Sequence, residues 1–460
     1  MITEFGRRII ESGSRELSLV PVAEAQEGFR AALFGRDDLK AKVREILMSR
    51  IDPAVAGRMS RARLLSEVRL LVSVIATDEK VQLNELEEAA LAVELTDDMV
   101  GLGPLEPLLH DDEITDILVN GPNDIYIERH GKLEKTVARF RDAQHVVNIA
   151  QRIASAVGRR IDESSPLVDA RLADGSRVNI VLPPLVLNGG TISIRKFARQ
   201  NITLEMMVRQ GNLSAEMAQF LDIAARCKVN ILISGGTGSG KTTLLNAVSR
   251  HIDSAERIIT IEDAVELRLQ QPHVVQMETR PPNIEGVGHI PQRELVRNAL
   301  RMRPDRIIVG EVRGDEAFDM LQAMNTGHDG SMSTVHANSP RDAMFRLENM
   351  VLMASANLPL RALRAQIASA INLVVQIERM RDGIRRVERI CEISGMDGEI
   401  VSTRDIFTFE FQAENRDGRI EGTFEPSRLR PDLAAKAAQY GLEKQLLSSV
   451  GITTAYITVS

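Results

Sequence analysis

The chain has no tryptophan, only three tyrosines and twelve phenylalanines in 460 residues. So few aromatics leave little from which to build a base-stacking channel for single-stranded nucleic acid. A basic excess is also missing: the net charge is −7, against the positive balance of most dedicated nucleic-acid binders. Together these weaken the case for a helicase. Two cysteines, Cys227 and Cys391, are too few for a disulfide framework or a four-cysteine zinc site. No apolar run approaches the roughly 18 residues that span a bilayer, and no basic segment followed by an apolar stretch opens the chain. The expectation is a cytosolic, reduced protein without a secretory signal. What remains, 43% hydrophobic and 26% charged residues, is the composition of an ordinary globular protein. Its length suggests about three domains.

Residues 1–35 show no sustained period and read as a mobile arm. From 36 to 98 the pattern predicts a three-helix bundle. Leu39, Val43, Ile46 and Leu47 share one helical face, as do Leu64, Val68, Leu71 and Ile75; Asp52-Pro53 breaks between them, and a third helix is expected over 83–93. Residues 99–200 read as a mixed α/β domain. Strands over 114–119 and 125–128 flank a Gly121-Pro122-Asn123 turn, and Asp142 can cap a helix carrying Val146, Ile149, Ala150 and Ile153. Asp174-Gly175 predicts a two-residue hairpin between strands 168–172 and 177–181; a further strand covers 191–195, and 201–213 reads as a linker. The last domain spans 214–460. Strand-like runs at 258–261, 307–309 and 331–335 alternate with helical stretches, the rhythm of a parallel sheet with helices on both faces. Past Arg385 the pattern turns to β-hairpins, with a final helix expected over 431–447.

The strongest local signal is Gly235-Gly236-Thr237-Gly238-Ser239-Gly240-Lys241-Thr242, a phosphate-binding P-loop. It follows a buried-strand run over 229–234 and opens a helix at Thr243, which is the context the motif requires. The glycines let backbone N–H groups wrap a phosphate chain, and the helix N-terminus adds partial positive charge. Lys241 is expected to reach the β- and γ-phosphates, and the Thr242 hydroxyl to sit on Mg²⁺. The nine residues from Gly235 to Thr243 are therefore the expected nucleotide-binding set.

Three further constellations bear on hydrolysis. Glu262-Asp263 ends one strand-like run, where a carboxylate could orient or deprotonate the attacking water, or merely cap the following helix. Arg306-Ile307-Ile308-Val309-Gly310-Glu311 is a Walker-B-like strand with glycine before the carboxylate in place of the usual aspartate, so that Glu311 must itself serve Mg²⁺ or water. His328 and His336 bracket a third strand with no cysteine near enough to complete a zinc site; either could be structural, and His336, ending a strand beside the P-loop, is the better placed to sense a γ-phosphate. Arg297, Arg301, Arg303, Arg306 and Arg313 cluster around the Walker-B-like strand, and the sequence does not sort structural from functional members.

In this order the motifs resemble those of the secretion ATPase superfamily of type II and type IV secretion and type IV pili, with the Tad/Flp-pilus (CpaF-type) assembly ATPases the nearest branch. The resemblance covers about residues 100–380. It rests on Gly103-Pro104-Leu105-Glu106-Pro107, Asp169-Ala170-Arg171 through Arg177, Ile192-Ser193-Ile194-Arg195, the P-loop, Ile261-Glu262-Asp263, Gly310-Glu311-Val312-Arg313 and Thr334-Val335-His336-Ala337-Asn338. It implies a RecA-like ATPase domain after a PAS-like domain, assembled as a homo-hexamer that hydrolyses ATP with Mg²⁺. The ring would sit in the cytoplasm, peripheral at the inner membrane, and drive a membrane-embedded platform protein to add pilins, with retraction left open as a second direction. It implies catalytic roles for Glu262, Glu311 and His336, with Thr242 and Glu311 on the metal. It also implies that Arg177 and Arg195 close onto the γ-phosphate. A two-residue hairpin would pair Arg177 with Leu172 and turn Arg171 to the other face. A type IV secretion or conjugation ATPase is the related alternative, and a RecA-like nucleic-acid translocase a more distant one.

Overall fold

A computed structural model describes residues 37–50, 56, 59–80, 82–129, 131–197, 202–280, 287–354, 358–415 and 417–452; the arm expected over 1–35 lies outside them. The chain divides at Phe197 into two units, Met1–Phe197 and Ala198–Ser460.

In the first unit three helices come first: α1 (Asp37–Arg50), α2 (Arg61–Asp78) and α3 (Glu85–Val100). Asn84 and Glu87 exchange side-chain-to-backbone bonds of 2.8 Å each and so satisfy two orphan amides at the start of α3. Val43, Leu47, Leu64, Val68, Val72, Ile75, Leu91 and Leu95 form the core between the helices. A short helix α4 (Glu106–His110) leads to β1 (Ile114–Asn120), β2 (Ile125–Arg129), β3 (Lys132–Lys135), α5 (Ala143–Ala156), β4 (Leu167–Arg171), β5 (Arg177–Val181) and β6 (Thr191–Arg195). The strands form one antiparallel sheet in the order β3-β2-β1-β6-β5-β4. One sheet face (Ile117, Val119, Ile127, Val178, Ile180, Ile192, Ile194) shares a core with Val146, Ile149 and Ile153 of α5.

The second unit begins with α6 (Leu204–Arg209), inside the stretch that reads as a linker. Thr203 caps it by accepting from Met206 N, and Leu204 and Met207 are buried, so the segment is part of the core. There follow α7 (Ala215–Arg226), β7 (Ile231–Gly235), α8 (Lys241–Ser249), β8 (Ile258–Glu262), β9 (Val274–Glu278), α9 (Gln292–Ala299), β10 (Arg306–Val312), α10 (Glu316–Asn325), β11 (Met332–His336), α11 (Pro340–Ala354), α12 (Leu360–Ala370) and β12 (Leu373–Arg379). Three long strands, β13 (Arg385–Asp397), β14 (Ile400–Glu414) and β15 (Ile420–Pro426), precede α13 (Leu433–Gln439) and α14 (Glu443–Ser449). The single helix expected over 431–447 is broken because Gly441 turns left-handed, at φ 71°.

These strands make one sheet, ordered β15-β14-β13-β12-β7-β11-β10-β8-β9. From β12 to β9 neighbours run parallel, and β13 to β15 extend the edge antiparallel. The parallel strands are buried on both faces. Ile231, Ile233, Ile258 and Ile308 pack with α7, α8 and the C-terminal helices, while Leu232, Ile259, Ile261, Ile307 and Val309 pack with α9 to α12. With every strand of this set pointing the same way, residues at their C-terminal ends collect along one edge.

Candidate nucleotide site

The P-loop joins β7 to α8 on that edge. Gly238 and Gly240 adopt left-handed backbone, at φ 69° and 99°, which turns the chain tightly into the helix. Gly235 is needed for space: a Cβ there would lie 2.3 Å from Ile377 O and 2.5 Å from Ser239 Oγ. Ser239 Oγ donates to Gly236 O at 2.9 Å and closes the loop on itself. Lys241 Nζ folds back to donate to Gly235 O at 3.0 Å and Gly236 O at 2.8 Å, which keeps the ammonium over the cradle. Thr242 and Thr243 stand half-buried in the first turn of α8. Arg385, at the start of β13, donates from Nε to Gly238 O at 2.9 Å. No sequence signal marked that arginine, since it lies 147 residues downstream.

Two carboxylates stand on the same edge, on the adjacent strands β8 and β10, which β11 separates from the P-loop strand. Glu262 ends β8, is 3% exposed, and accepts through Oε2 from the backbone N–H groups of Glu266 at 2.8 Å and Leu267 at 3.0 Å. Glu311 lies on β10 in a bulge: Val309 pairs with Ser333 and Val312 with Val335, so Gly310 and Glu311 together oppose Thr334. Thr334 Oγ1 donates to Gly310 O at 2.7 Å and pins the bulge, which re-aims Glu311 relative to a regular strand. Arg313 Nη2 stands 2.5 Å from Glu311 Oε2, and its Nη1 is 3.5 Å from Asp263 Oδ2. Partial burial opposes the charge on Arg313, but Glu311, Asp263 and Glu266 outweigh it and raise the guanidinium's pKa. Asp263 and Arg313 open onto a cleft of about 270 Å³ with Thr279, His289, Gln292 and Glu316.

The two histidines part company. His336 ends β11 with Nδ1 3.5 Å from Thr237 Oγ1 of the P-loop. His328 precedes the same strand, at its opposite end, where its carbonyl accepts from Ser331 Oγ. The arginines also separate. Arg306 is fully buried and holds Glu256 with two 2.7 Å bonds at the N-terminal end of β10, Arg297 lies 4.0 Å from Asp319, and Arg313 stands at the carboxylate edge.

In the first unit, Arg177 and Arg195 are cross-strand partners on β5 and β6, both exposed. The register expected for Arg171 is wrong by one residue. Arg171 pairs directly with Arg177, so all three arginines share one face of the sheet. The hairpin loop has three residues, Ala173 to Gly175, rather than two. Leu172 N bonds Ser176 O, Gly175 takes φ 92°, and Asp174 accepts from Ser176 N and Oγ. That left-handed glycine adds one residue and turns Arg171 back to the face of Arg177.

The sequence model of a family described as type II/IV secretion system protein matches residues 98–415. The chain belongs to that family. Its relatives include a protein named as a putative conjugal transfer protein of Mycobacterium tuberculosis, 39% identical over 312 residues, which are 66% of this chain and 88% of the relative. The type IV secretion system protein PtlH of Bordetella pertussis is 37% identical over 324 residues, covering 65% of this chain and 94% of its own length. Among solved structures, the VirB11 ATPase of the Brucella suis type IV secretion system, in complex with sulphate, is 30% identical over 63% of this chain and 95% of its own, with a TM-score of 0.35.

Proposed function

We propose that this chain is the ATP-hydrolysing subunit of a hexameric ring motor in a secretion or pilus machine, with Tad/Flp-pilus assembly as the first reading. One observation carries the hydrolytic part: Glu262 and Glu311 are presented on the P-loop's edge of the sheet, at the C-terminal ends of two adjacent parallel strands. A loop that only bound nucleotide would need neither. In this reading the loop's amides wrap the phosphates and Lys241 leaves its two carbonyl partners to neutralise them. The residues fit a magnesium ion as well. Thr242 stands in the first turn behind left-handed Gly240, and Glu311 already faces a cation in Arg313. Thr242 and Glu311 would hold the ion, whose part is to offset phosphate charge. Glu262 and Glu311 serve water and metal between them, and His336 reads the γ-phosphate through Thr237. Arg177 and Arg195, with Arg171 now on their face, are assigned to the phosphate charge that builds in the transition state.

The second unit is read as RecA-like and the antiparallel sheet of the first as PAS-like. Membrane work would pass through a platform protein, in keeping with the described residues having no helix long and apolar enough to cross a bilayer. The helices before residue 98, outside the family match, favour the pilus branch. The names of the relatives favour the second reading, a type IV secretion or conjugation ATPase. The test is Mg²⁺-dependent ATP hydrolysis per subunit across a wide range of protein concentration, with Lys241→Ala as the inactive control. Specific activity should climb steeply as the ring assembles. Flat, substantial activity from a monomer would end the ring reading, and stimulation by DNA or RNA would favour a translocase.

A further inference from the structure

The glycine before Glu311 stands where other P-loop enzymes place an aspartate. Gly310 is not a concession to backbone geometry, because its φ lies outside the left-handed region. What it lacks is room. A Cβ at 310 would lie 2.8 Å from Glu262 Cγ, 3.4 Å from its Oε2 and 3.5 Å from its Cβ. The nearest atom is mid-chain, and the carboxylate beyond it is tied to two backbone amides, so Glu262 cannot yield without giving up those bonds. Gly310 cannot yield either, being fixed by Thr334 from β11.

We propose that Gly310 is a positioning residue: its missing side chain is the space in which Glu262 is held, and the two form one unit across β8 and β10. The carboxylate that an aspartate at 310 would contribute comes here from the neighbouring strand and fills the volume that aspartate would occupy. An aspartate at 310 would set a second negative charge against the first. The inference rests on the reading that Glu262 serves ATP hydrolysis, and adds what holds it there.

The test is a cycle in the full-length chain of Gly310→Ala, Glu262→Ala and the double variant. Turnover is measured at a protein concentration where the wild type is fully active, nucleotide affinity with a fluorescent ADP, and stability as the thermal midpoint. Gly310→Ala should lower kcat about ten-fold or more, with ADP affinity within about two-fold, because the P-loop is untouched. It should lower the midpoint by roughly 3–8 °C alone and by less than about 1 °C beside Glu262→Ala, where the clash is gone. An equal loss of midpoint in both backgrounds would make Gly310 a requirement of the strand and overturn the inference. So would wild-type kcat in Gly310→Ala while Glu262→Ala is inactive. Wild-type kcat in Glu262→Ala would instead remove the hydrolytic role of Glu262, and the positioning role with it.

Discussion

Strand β10 carries an arginine–carboxylate pair at each end, and the two are built in opposite ways. At the N-terminal end Arg306 is 0% exposed and grips Glu256 through two bonds, with Lys228 Nζ 3.3 Å from the same carboxylate. Gly330 closes over it so tightly that a Cβ there would be 2.6 Å from Arg306 Nη1. At the C-terminal end the Arg313 side chain is 59% exposed, its partner Asp263 is 44% exposed, and Glu311 is half-buried at 26%. A charge pair sealed from water cannot exchange partners without great cost, whereas a solvated one exchanges freely. The sealed end anchors the sheet. On the proposed function, the open end is where a guanidinium is traded for a metal and a phosphate.

Breaking the sealed pair should have the largest effect. Arg306→Met leaves Glu256 buried with half its compensation, and should cost about 3–5 kcal/mol in urea unfolding. A loss under about 1 kcal/mol would mean that Lys228 alone can hold Glu256 and that the two ends differ less than their burial suggests. The open end should fail in the other currency. Glu311→Gln should lower kcat about 100-fold or more, with a stability change within about 0.5 kcal/mol. If unfolding shifts as much as turnover, Glu311 is structural.

Much of this edge was legible in the sequence, because a P-loop and strand-end carboxylates are local patterns with a mechanism. Relations between strands were not. Nothing local says that Asp174-Gly175 closes a three-residue loop rather than two, yet that single residue decides whether Arg171 shares a face with Arg177. Gly310 looked like a departure from a motif until its Cβ could be set against Glu262, 48 residues away in sequence but on the adjacent strand. Strand β12, which flanks the P-loop strand, and edge strand β9 had readable boundaries, Asp382-Gly383 after the first and Pro272 before the second, but their pairing with distant strands left no local trace. The helix over Leu204–Arg209 had readable signals, a capping Thr203 and apolar residues three apart, outweighed by the polar residues around it.

A second buried basic group sharpens the rule that burial needs a counter-charge. His145 of α5 is 4% exposed, with Asp98 Oδ1 3.5 Å from Nε2 and Arg44, Arg141 and Arg152 nearby. Burial, then Arg141 and Arg44, push its pKa from 6.5 down to about 4, so the folded protein keeps it neutral. Between those values the unfolded chain binds a proton that the folded one refuses, and stability is lost as pH falls from 6.5 toward 4. Asp98, whose pKa burial raises, works with the opposite sign in the lower part of that window. The net loss should be about 2 kcal/mol. His145→Gln should flatten the profile of unfolding midpoint against pH; an unchanged slope would place the titrating group elsewhere.

The smallest effect should come from Arg313 itself, and it bears most directly on exchange at the open end. An exposed pair contributes under about 1 kcal/mol, so Arg313→Ala should leave stability within about 0.5 kcal/mol of wild type. Its consequence lies in competition. While Arg313 faces Glu311, an incoming divalent cation must displace it, and that cost appears as a higher Mg²⁺ requirement. Removing the guanidinium should lower the Mg²⁺ concentration for half-maximal ATP hydrolysis about two- to five-fold, the equivalent of the pair's energy. Arg313→Lys, which keeps the charge without the planar fork, should fall between. If Arg313→Ala raises the requirement instead, the arginine assists the bound state. The open end of β10 would then be a catalytic cation site, and not a place where charges are exchanged.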